Sequence, residues 1–194
     1  RFRGDGTILE EFSELVNPGC RIPAKVIDIH GITDDMVAGK PGIGVVLPKF
    51  QEFVGEKPVI MMAHNAGFDV GFLSVAFQQM RREPPMFPII DTCAMARRRI
   101  ALPRYSLESI GRSLNLIEDE RHRALDDSLL LVDVFRHLVQ HPNEIPDVHT
   151  LFRYAPPTRF ESLEEHEETI PVEWRELHNS ITRGRSIIIV YDGG

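Results

Sequence analysis

Two segments of this chain place carboxylates where helices are predicted to begin, and one of them adds a nearby histidine. Asp69 follows a continuous apolar run by six residues. In open α/β sheets, functional groups gather beyond the carboxyl ends of the strands, so a carboxylate there is well placed to bind a metal ion. Asp127 comes early in a later helix, five residues after His122. These three side chains are the first candidates for catalytic chemistry.

The spacing of His122 and Asp127 constrains how they can act together. Five positions on one continuous helix separate two side chains by about 140°, at about 100° per residue. The two therefore converge only if His122 lies in the loop before the helix and Asp127 in its first turns. The neighbouring Arg121 and Arg123 fit such a loop. Asp126 is better explained as a solvent-facing acid at the start of the helix.

Both segments resemble motifs of the DEDDh family of 3′→5′ exonucleases, which includes the proofreading epsilon subunit of DNA polymerase III. Residues 64–69 read His-Asn-Ala-Gly-Phe-Asp and resemble the second motif along their whole length, while residues 122–127 resemble the third. The resemblance covers residues 1 to about 140. It implies a ribonuclease H-like α/β fold, with a mixed sheet flanked by helices. It also implies that Asp69 and Asp127 bind metal ions and that His122 is the general base.

The implied chemistry accounts for these residue types. Hydrolysis of a phosphodiester needs an activated water and relief of charge on the leaving oxygen, and two Mg²⁺ or Mn²⁺ ions about 3.5–4 Å apart provide both. Such hard cations prefer carboxylate oxygens. A histidine with an ordinary pKa near 6.5 can take a proton at neutral pH. The expected cofactor is therefore a pair of Mg²⁺ or Mn²⁺ ions.

The first motif of the family, a strand carrying Asp-x-Glu, is missing. In relatives it precedes the segment that matches residues 1–16, so the missing piece would comprise about 20–25 residues. A permuted alternative is the apolar run that ends at Asp192, but Gly194 stands where the motif has Glu. Two hypotheses remain open. The protein is a 3′→5′ exonuclease that releases 5′-monophosphates, or a catalytically inactive nucleic-acid-binding module on the same fold.

Further positions are candidates for substrate contact by the same resemblance. Residues 29–33, Ile-His-Gly-Ile-Thr, are similar to a loop that contacts the terminal nucleotide in relatives, which singles out His30 and Ile32. The alternative to substrate contact is that the apolar candidates pack in the hydrophobic core. The second motif adds three more candidates, namely His64, Asn65 and Phe68.

Composition limits the class of protein. The chain has 194 residues, of which 42% are hydrophobic and 26% charged, as in a globular domain with an appendage. Cys20 and Cys93 are too few for a disulfide framework, and no apolar run approaches a membrane span, so we expect a cytoplasmic protein. The net charge of −7 argues against broad adhesion to nucleic acid, although a local basic rim suffices for a strand end. The rim candidates are Arg97, Arg98, Arg99, Arg104, Arg121 and Arg123.

The implied partners are the 3′ ends of single-stranded DNA or RNA. A polymerase or another repair protein is a protein partner compatible with the resemblance, and a membrane is not. These motifs are shared by DNA and RNA exonucleases, so the sequence leaves open whether the protein serves replication, DNA repair or RNA turnover.

Strands and helices alternate after an initial hairpin. Residues 1–16 predict two strands around a Gly4-Asp5-Gly6 turn. The near-continuous apolar run at 58–63 predicts a strand buried on both faces, and residues 87–90 predict a short strand. Apolar periodicity and capping residues predict the helices, at about 46–54, 67–82, 92–100, from 106 onward and 124–139.

The chain divides into three parts on composition. Residues 1–141 form the predicted exonuclease domain, and the Pro- and Glu-rich residues 142–170 a linker. Residues 171–194 resemble the start of a WYL-type domain, because a helix and a Gly-Arg pair precede an apolar strand ending in Tyr191. The alternative is a C-terminal helix and strand that pack on the main domain.

Overall fold

A computed structural model describes residues 1–3, 7–117, 124–139 and 148–160. Two parallel strands lie at its centre, β1 (Met61–Ala63) and β2 (Ile89–Asp91). Met61 pairs with Ile89 and Ala63 with Asp91, so both strands end at the same edge of the sheet. β1 lies within the run at 58–63 and β2 overlaps the run at 87–90, which confirms that both form strands. The expectation that the strand at 58–63 is buried on both faces is wrong, because Met61, Met62 and Ala63 are all half-buried.

Eight helices surround the strands in the described residues. α4 crosses from β1 to β2, which makes the two strands parallel. Helices were predicted near α3 to α7, whereas α1 was not predicted. The bounds are α1 Ala24–His30, α2 Asp34–Val37, α3 Ile43–Val54, α4 Ala66–Gln79, α5 Thr92–Arg99, α6 Leu107–Ser113, α7 Ala124–Val139 and α8 Val148–Tyr154. None of the helices in these ranges is long and apolar enough to cross a bilayer.

The strands separate two apolar layers. Met62 and Ile90 face one layer, where they pack with buried residues of α5, α6, α7 and α8. Ile89 and Met61 face the other layer and pack with Val70 of α4. This alternation of neighbouring side chains is the period of two that a strand imposes, and it places helices on both faces. The ribonuclease H-like α/β class expected from the resemblance is confirmed.

The two outer edges of the sheet differ. Ile89 of β2 exchanges two backbone hydrogen bonds with Thr158, each 2.8 Å long, in an antiparallel bridge. No strand within the described ranges pairs with the outer edge of β1. Among the residues that the structure describes, the sheet therefore continues beside β2 but not beside β1.

The N-terminal hairpin is shorter than predicted. Phe2 and Ile8 form an antiparallel bridge, while the predicted turn at residues 4–6 lies outside the described residues. The prediction of a strand continuing to Val16 is wrong, because residues 9–16 form no strand. Extended backbone needs a neighbouring strand to satisfy its hydrogen bonds, and none lies beside this segment in the described ranges. Val16 and Phe12 instead pack in the cluster of α3 and α4 side chains.

Part of the stretch predicted as a linker is helical. α8 lies within it and packs against α5 through Leu151 and Ala155. Arg98 Nη1 donates to the carbonyl oxygens of Arg153 and Tyr154 at 3.1 and 3.3 Å. A basic side chain on the last carbonyls of a helix is a favourable end cap. The predicted segment at 171–194, including the WYL-like pattern, lies outside the described residues, and the division into domains stays a prediction.

Candidate active site

The turn between β1 and α4 places Asp69. Asn65 adopts the left-handed conformation, with φ 62° and ψ 52°, which Asn tolerates better than most residues. The chain therefore turns sharply after the strand, and α4 begins at Ala66. Asp69 is the acidic residue of the first helical turn, beyond the carboxyl end of β1. This is the position that the sequence predicted for it.

One carboxylate oxygen of Asp69 has no partner among the described groups. Its Oδ2 is buried and accepts no hydrogen bond from them. The pKa of Asp69 is raised to about 7, mainly by burial, which the backbone hydrogen bond of Asp69 opposes and the nearby charge of Asp91 assists. A buried, unsatisfied carboxylate is costly, and such groups cluster at functional sites. Asp69 therefore has the environment of a ligand-binding group.

Asp69 lines a cavity of about 310 Å³. Both strands contribute to its wall, through Met61 to Ala63 of β1 and Ile89 of β2, and α7 contributes Ser128, the residue after Asp127. The two acidic segments thus approach the same cavity. Its polar lining residues are Ser13, Glu14, Asp69 and Ser128, and its other lining residues are Phe12, Val16, Ile43, Val46, Leu47, Phe50, Met61, Met62, Ala63, Val70, Leu73, Ile89 and Phe160.

Two of the predicted catalytic residues fall within the described ranges. Asp127 is half-buried in the first turn of α7. His122 lies outside the described residues. In the described ranges, no group of three or more His, Cys, Asp or Glu side chains is arranged to hold a metal ion. The donor chemistry nevertheless fits a hard cation, because Asp69 and Asp127 offer carboxylate oxygens and Oδ2 of Asp69 is unsatisfied.

His64 is held on both sides of its ring. Its Nδ1 lies 3.0 Å from Thr92 Oγ1, and its Nε2 lies 2.7 Å from the carbonyl oxygen of Tyr105. Since a carbonyl only accepts, Nε2 carries hydrogen and donates. Burial lowers the pKa of His64, a shift to which Arg97 adds and which the Tyr105 carbonyl and Asp91 oppose. Both nitrogens are occupied within the protein, so substrate contact by His64 in this conformation would not use them.

The predicted nucleotide-contacting loop lies beside the first turn of α4. His30 is buried, its Nδ1 accepts from the backbone N–H of Ile32 at 2.9 Å, and its burial lowers its pKa. Ile32 belongs to a buried cluster with Phe72, and Phe68 packs against that cluster. The Phe68 and Phe72 ring centroids are 4.7 Å apart. The structure thus brings the loop close to the residue before Asp69, and substrate contact by these side chains stays a prediction.

The predicted basic rim is largely engaged in internal contacts. Arg97 lies over the ring of Tyr105, with its guanidinium carbon 4.8 Å from the centroid. Arg99 lies over the ring of Tyr154 at 4.4 Å. With Arg98 bonded to α8, the three consecutive arginines connect α5 to its neighbours. Arg104 is exposed, and the rim candidates at positions 121 and 123 lie outside the described residues.

The sequence did not reveal that Asp91 is linked to this site. It ends β2 and caps α5, as its Asp-Thr pair suggested. Its Oδ1 also accepts from the backbone N–H of Asn65 at 3.0 Å, across the gap between the two strand ends. No sequence signal could have shown this bond, because it depends on the register of β1 and β2.

Comparison with known proteins places most of the chain in one family. The Exonuclease family model matches residues 1–135. A protein of Mycobacterium tuberculosis (strain CDC 1551 / Oshkosh), provisionally named a bifunctional exonuclease/endonuclease, is 39% identical over 138 residues, which are 70% of this chain and 21% of that protein. A PolC-type DNA polymerase III of Clostridium perfringens (strain 13 / Type A) is 36% identical over 146 residues, 75% of this chain and 10% of that protein.

A solved structure is also similar. Exonuclease X in complex with 5′ overhanging duplex DNA shares 28% identity and a TM-score of 0.52, and the match covers 73% of this chain and 82% of that one. The chain spans about a tenth to a fifth of the length of these two curated relatives.

Proposed function

Because the chain belongs to the Exonuclease family, we propose that it is a metal-dependent 3′→5′ exonuclease that releases 5′-monophosphates from nucleic-acid ends. The observation that carries the proposal is the unsatisfied, buried Oδ2 of Asp69 in a cavity that α7 also lines beside Asp127. A buried carboxylate without a partner is stabilised when a cation binds to it, because the cation offsets its charge.

Asp69 and Asp127 would hold the divalent cations, with Mg²⁺ or Mn²⁺ as the ions that suit carboxylate ligands. When bound, such ions help to generate the attacking hydroxide and offset charge on the leaving oxygen. His122 takes the proton of the attacking water as general base. The proposed contacts to the terminal nucleotide are His30, Ile32, His64, Asn65 and Phe68. The contact of His64 would not use its ring nitrogens, which are engaged within the protein.

Within the described ranges no strand pairs with the outer edge of β1, which supports the expectation of a further strand. Protein interiors are close-packed, so a largely apolar cavity of about 310 Å³ that Met61 to Ala63 help to line has room for an additional element. Phe2, near the start of the described chain, packs against the same cluster of side chains as Ile60 and Met62 and lies against Phe135 of α7. The proposed occupant is the Asp-x-Glu strand that the family resemblance predicts ahead of residue 1. It would bring its carboxylates to the edge where Asp69 lies.

An inactive binding module is the second candidate. It is favoured by the absence, in the described ranges, of any cluster of three potential metal-binding side chains. This candidate predicts that nucleic acid binds without being shortened.

Digestion separates the two candidates. The protein is incubated with Mn²⁺ and a 5′-labelled single strand of DNA or RNA, and with duplex DNA carrying a 5′ overhang, the DNA form bound by the solved neighbour. The same reactions receive a strand-length peptide of about six apolar residues ending in Asp-x-Glu. An Asn-x-Gln peptide is the control.

Progressive shortening of the strand, with or without the acidic peptide, supports the exonuclease if it is lost in Asp127→Ala and in His122→Ala. Binding without shortening under every condition supports the inactive module. Full activity in both variants would contradict the proposed mechanism.

The proposed protein partner is a replicative or repair polymerase in the cytoplasm, in keeping with the PolC-type relatives.

A further inference from the structure

The two turns that follow β1 and β2 are joined by side-chain hydrogen bonds. Asn65 N–H donates to Asp91 Oδ1 at 3.0 Å. The Thr92 hydroxyl, which has one hydrogen to donate, lies within bonding distance of two acceptors, the carbonyl oxygen of Ala63 at 3.2 Å and His64 Nδ1 at 3.0 Å. Residues 63–65 are therefore held against residues 91–92, and the start of α4 depends on the neighbouring strand-helix unit.

Asp91 contributes more than a cap for its own helix. Its Oδ1 accepts from Cys93 N at 2.8 Å and from Ala94 N at 3.3 Å, which satisfies α5. Its bond to Asn65 is additional and reaches the start of α4. Ser106 provides the comparison, because its hydroxyl accepts from the backbone N–H of Ser109 at 3.2 Å within its own helix α6. Bonds from N–H groups to an ionised carboxylate are also stronger than those to a neutral oxygen.

The bond to Asn65 fixes the backbone that carries Asp69. Asn65 is the N-terminal capping position of α4 in the left-handed conformation, and its side chain makes no capping bond. Its carbonyl, which belongs to the following peptide unit, accepts from Phe68 N at 3.0 Å, so the backbone of Asn65 is bonded on both sides and leads directly into the first turn. Asp69 is the next residue after Phe68. A change in the Asn65 peptide therefore moves the Asp69 carboxylate.

We propose that Asp91 is a positioning residue that orients Asp69 for metal binding through the backbone of Asn65. The metal part of this inference rests on the proposed function. Removing a group that orients a metal ligand typically weakens metal affinity 10- to 100-fold. Asp91→Ala should accordingly raise the Mn²⁺ concentration for half-maximal binding at least 10-fold, lower kcat, and leave the KM for the strand within about 3-fold.

Two variants distinguish positioning from loss of stability. Asp91→Asn keeps an acceptor oxygen for the three N–H groups, so it should restore Mn²⁺ affinity to within about 5-fold of the unmodified protein. Ser106→Ala removes the side-chain cap of a different helix, α6, and so lowers stability without removing a bond to Asn65 or Asp91. It should leave Mn²⁺ affinity unchanged.

Mn²⁺ binding is measured on the full chain by electron paramagnetic resonance, which does not require hydrolysis. Amide hydrogen exchange is measured on the same samples. Faster exchange at Phe68 and Asp69 in Asp91→Ala, absent in Ser106→Ala, together with the loss of Mn²⁺ affinity, supports the proposal. Equal Mn²⁺ affinity in both alanine variants, or unchanged exchange at Asp69, overturns it.

Failure of the exonuclease function and failure of the positioning role of Asp91 would give different experimental results. An unmodified protein that binds Mn²⁺ but shortens no strand would overturn the exonuclease function and leave the positioning role intact. A protein that binds no Mn²⁺ would overturn the metal role of Asp91 and the proposed function together.

Discussion

Asp69→Asn should stabilise the protein against unfolding at alkaline pH. The buried carboxyl of Asp69 has a pKa of about 7, against an ordinary value of 3.8. The folded state therefore keeps a proton that the unfolded state has already lost between these two values. By linkage, the free energy of unfolding falls as pH rises from about 4 to about 7, and the loss persists above pH 7. Asparagine does not ionise and escapes this loss.

The magnitude follows from the two pKa values. Between pH 5 and pH 8 the folded carboxyl ionises while the unfolded one is ionised throughout, which corresponds to roughly 3 kcal/mol at 1.36 kcal/mol per pH unit. The difference in unfolding free energy between Asp69→Asn and the unmodified protein should increase by that amount. Because only the change of this difference with pH is compared, any pH-independent effect of the asparagine amide on packing cancels.

Urea unfolding in EDTA at pH 5, 6, 7 and 8 measures this difference. Asp28→Asn is the matched control, because Asp28 is an exposed carboxyl on α1. It should show a difference near zero at every pH. A stability difference for Asp69→Asn that stays flat from pH 5 to pH 8 would refute the argument, since it would mean that the Asp69 carboxyl is solvated or already compensated.

The other predictions concern the contacts around the site and at α8. At pH 8, Mn²⁺ should raise the thermal midpoint of the unmodified protein but shift that of Asp69→Asn much less, which differential scanning fluorimetry measures; equal shifts would place the ion elsewhere. His64→Ala should cost about 2–3 kcal/mol in urea unfolding, because it removes two buried hydrogen bonds. A cost below 0.5 kcal/mol by the same assay would show that the turn does not depend on the ring. Arg98→Ala should speed amide exchange in α8 but not in α7, and unchanged exchange would mean that apolar packing alone holds α8.

Patterns along the chain predicted the elements that local sequence determines. The run at 58–63 and the run ending at Ile90 both form strands of the sheet, as predicted, although β1 is only half-buried while Ile89 and Ile90 of β2 are buried. α7 begins and ends where its apolar periodicity does. In contrast, α1 contains β-branched residues that disfavour a helix, and burial of Val26 against the cluster of Phe72 outweighs that preference.

α8 was missed for a related reason. Pro146, Pro156 and Pro157 flank its sequence and favour a linker. Its helix depends instead on Leu151 and Ala155, which are buried against α5 and α7 by contacts distant in sequence. Composition cannot reveal such contacts, because it records neither partner nor distance.

The site was predictable in residue type but not in hydrogen bonding. The second motif gave the position of Asp69 at the start of α4. The partners of His64 are 28 and 41 residues away, and that of Asn65 is 26 residues away. The bonds to Thr92 and Asp91 follow from the register of β1 and β2, whereas the bond to Tyr105 depends on where the loop before α6 packs. The unsatisfied oxygen of Asp69 likewise depends on the walls of the cavity. These features are products of tertiary packing, which no local pattern encodes.

The most direct test of the central claim compares two labels on one strand. A single strand labelled at its 3′ terminal nucleotide and the same strand labelled at its 5′ end are digested with Mn²⁺, with and without the acidic strand peptide. We expect the 3′ label to be released immediately as a 5′-monophosphate, and the 5′-labelled strand to give a ladder of shortening products. Both results should be lost in Asp127→Ala. Release of the 5′ label first, or identical products from Asp127→Ala, would contradict it.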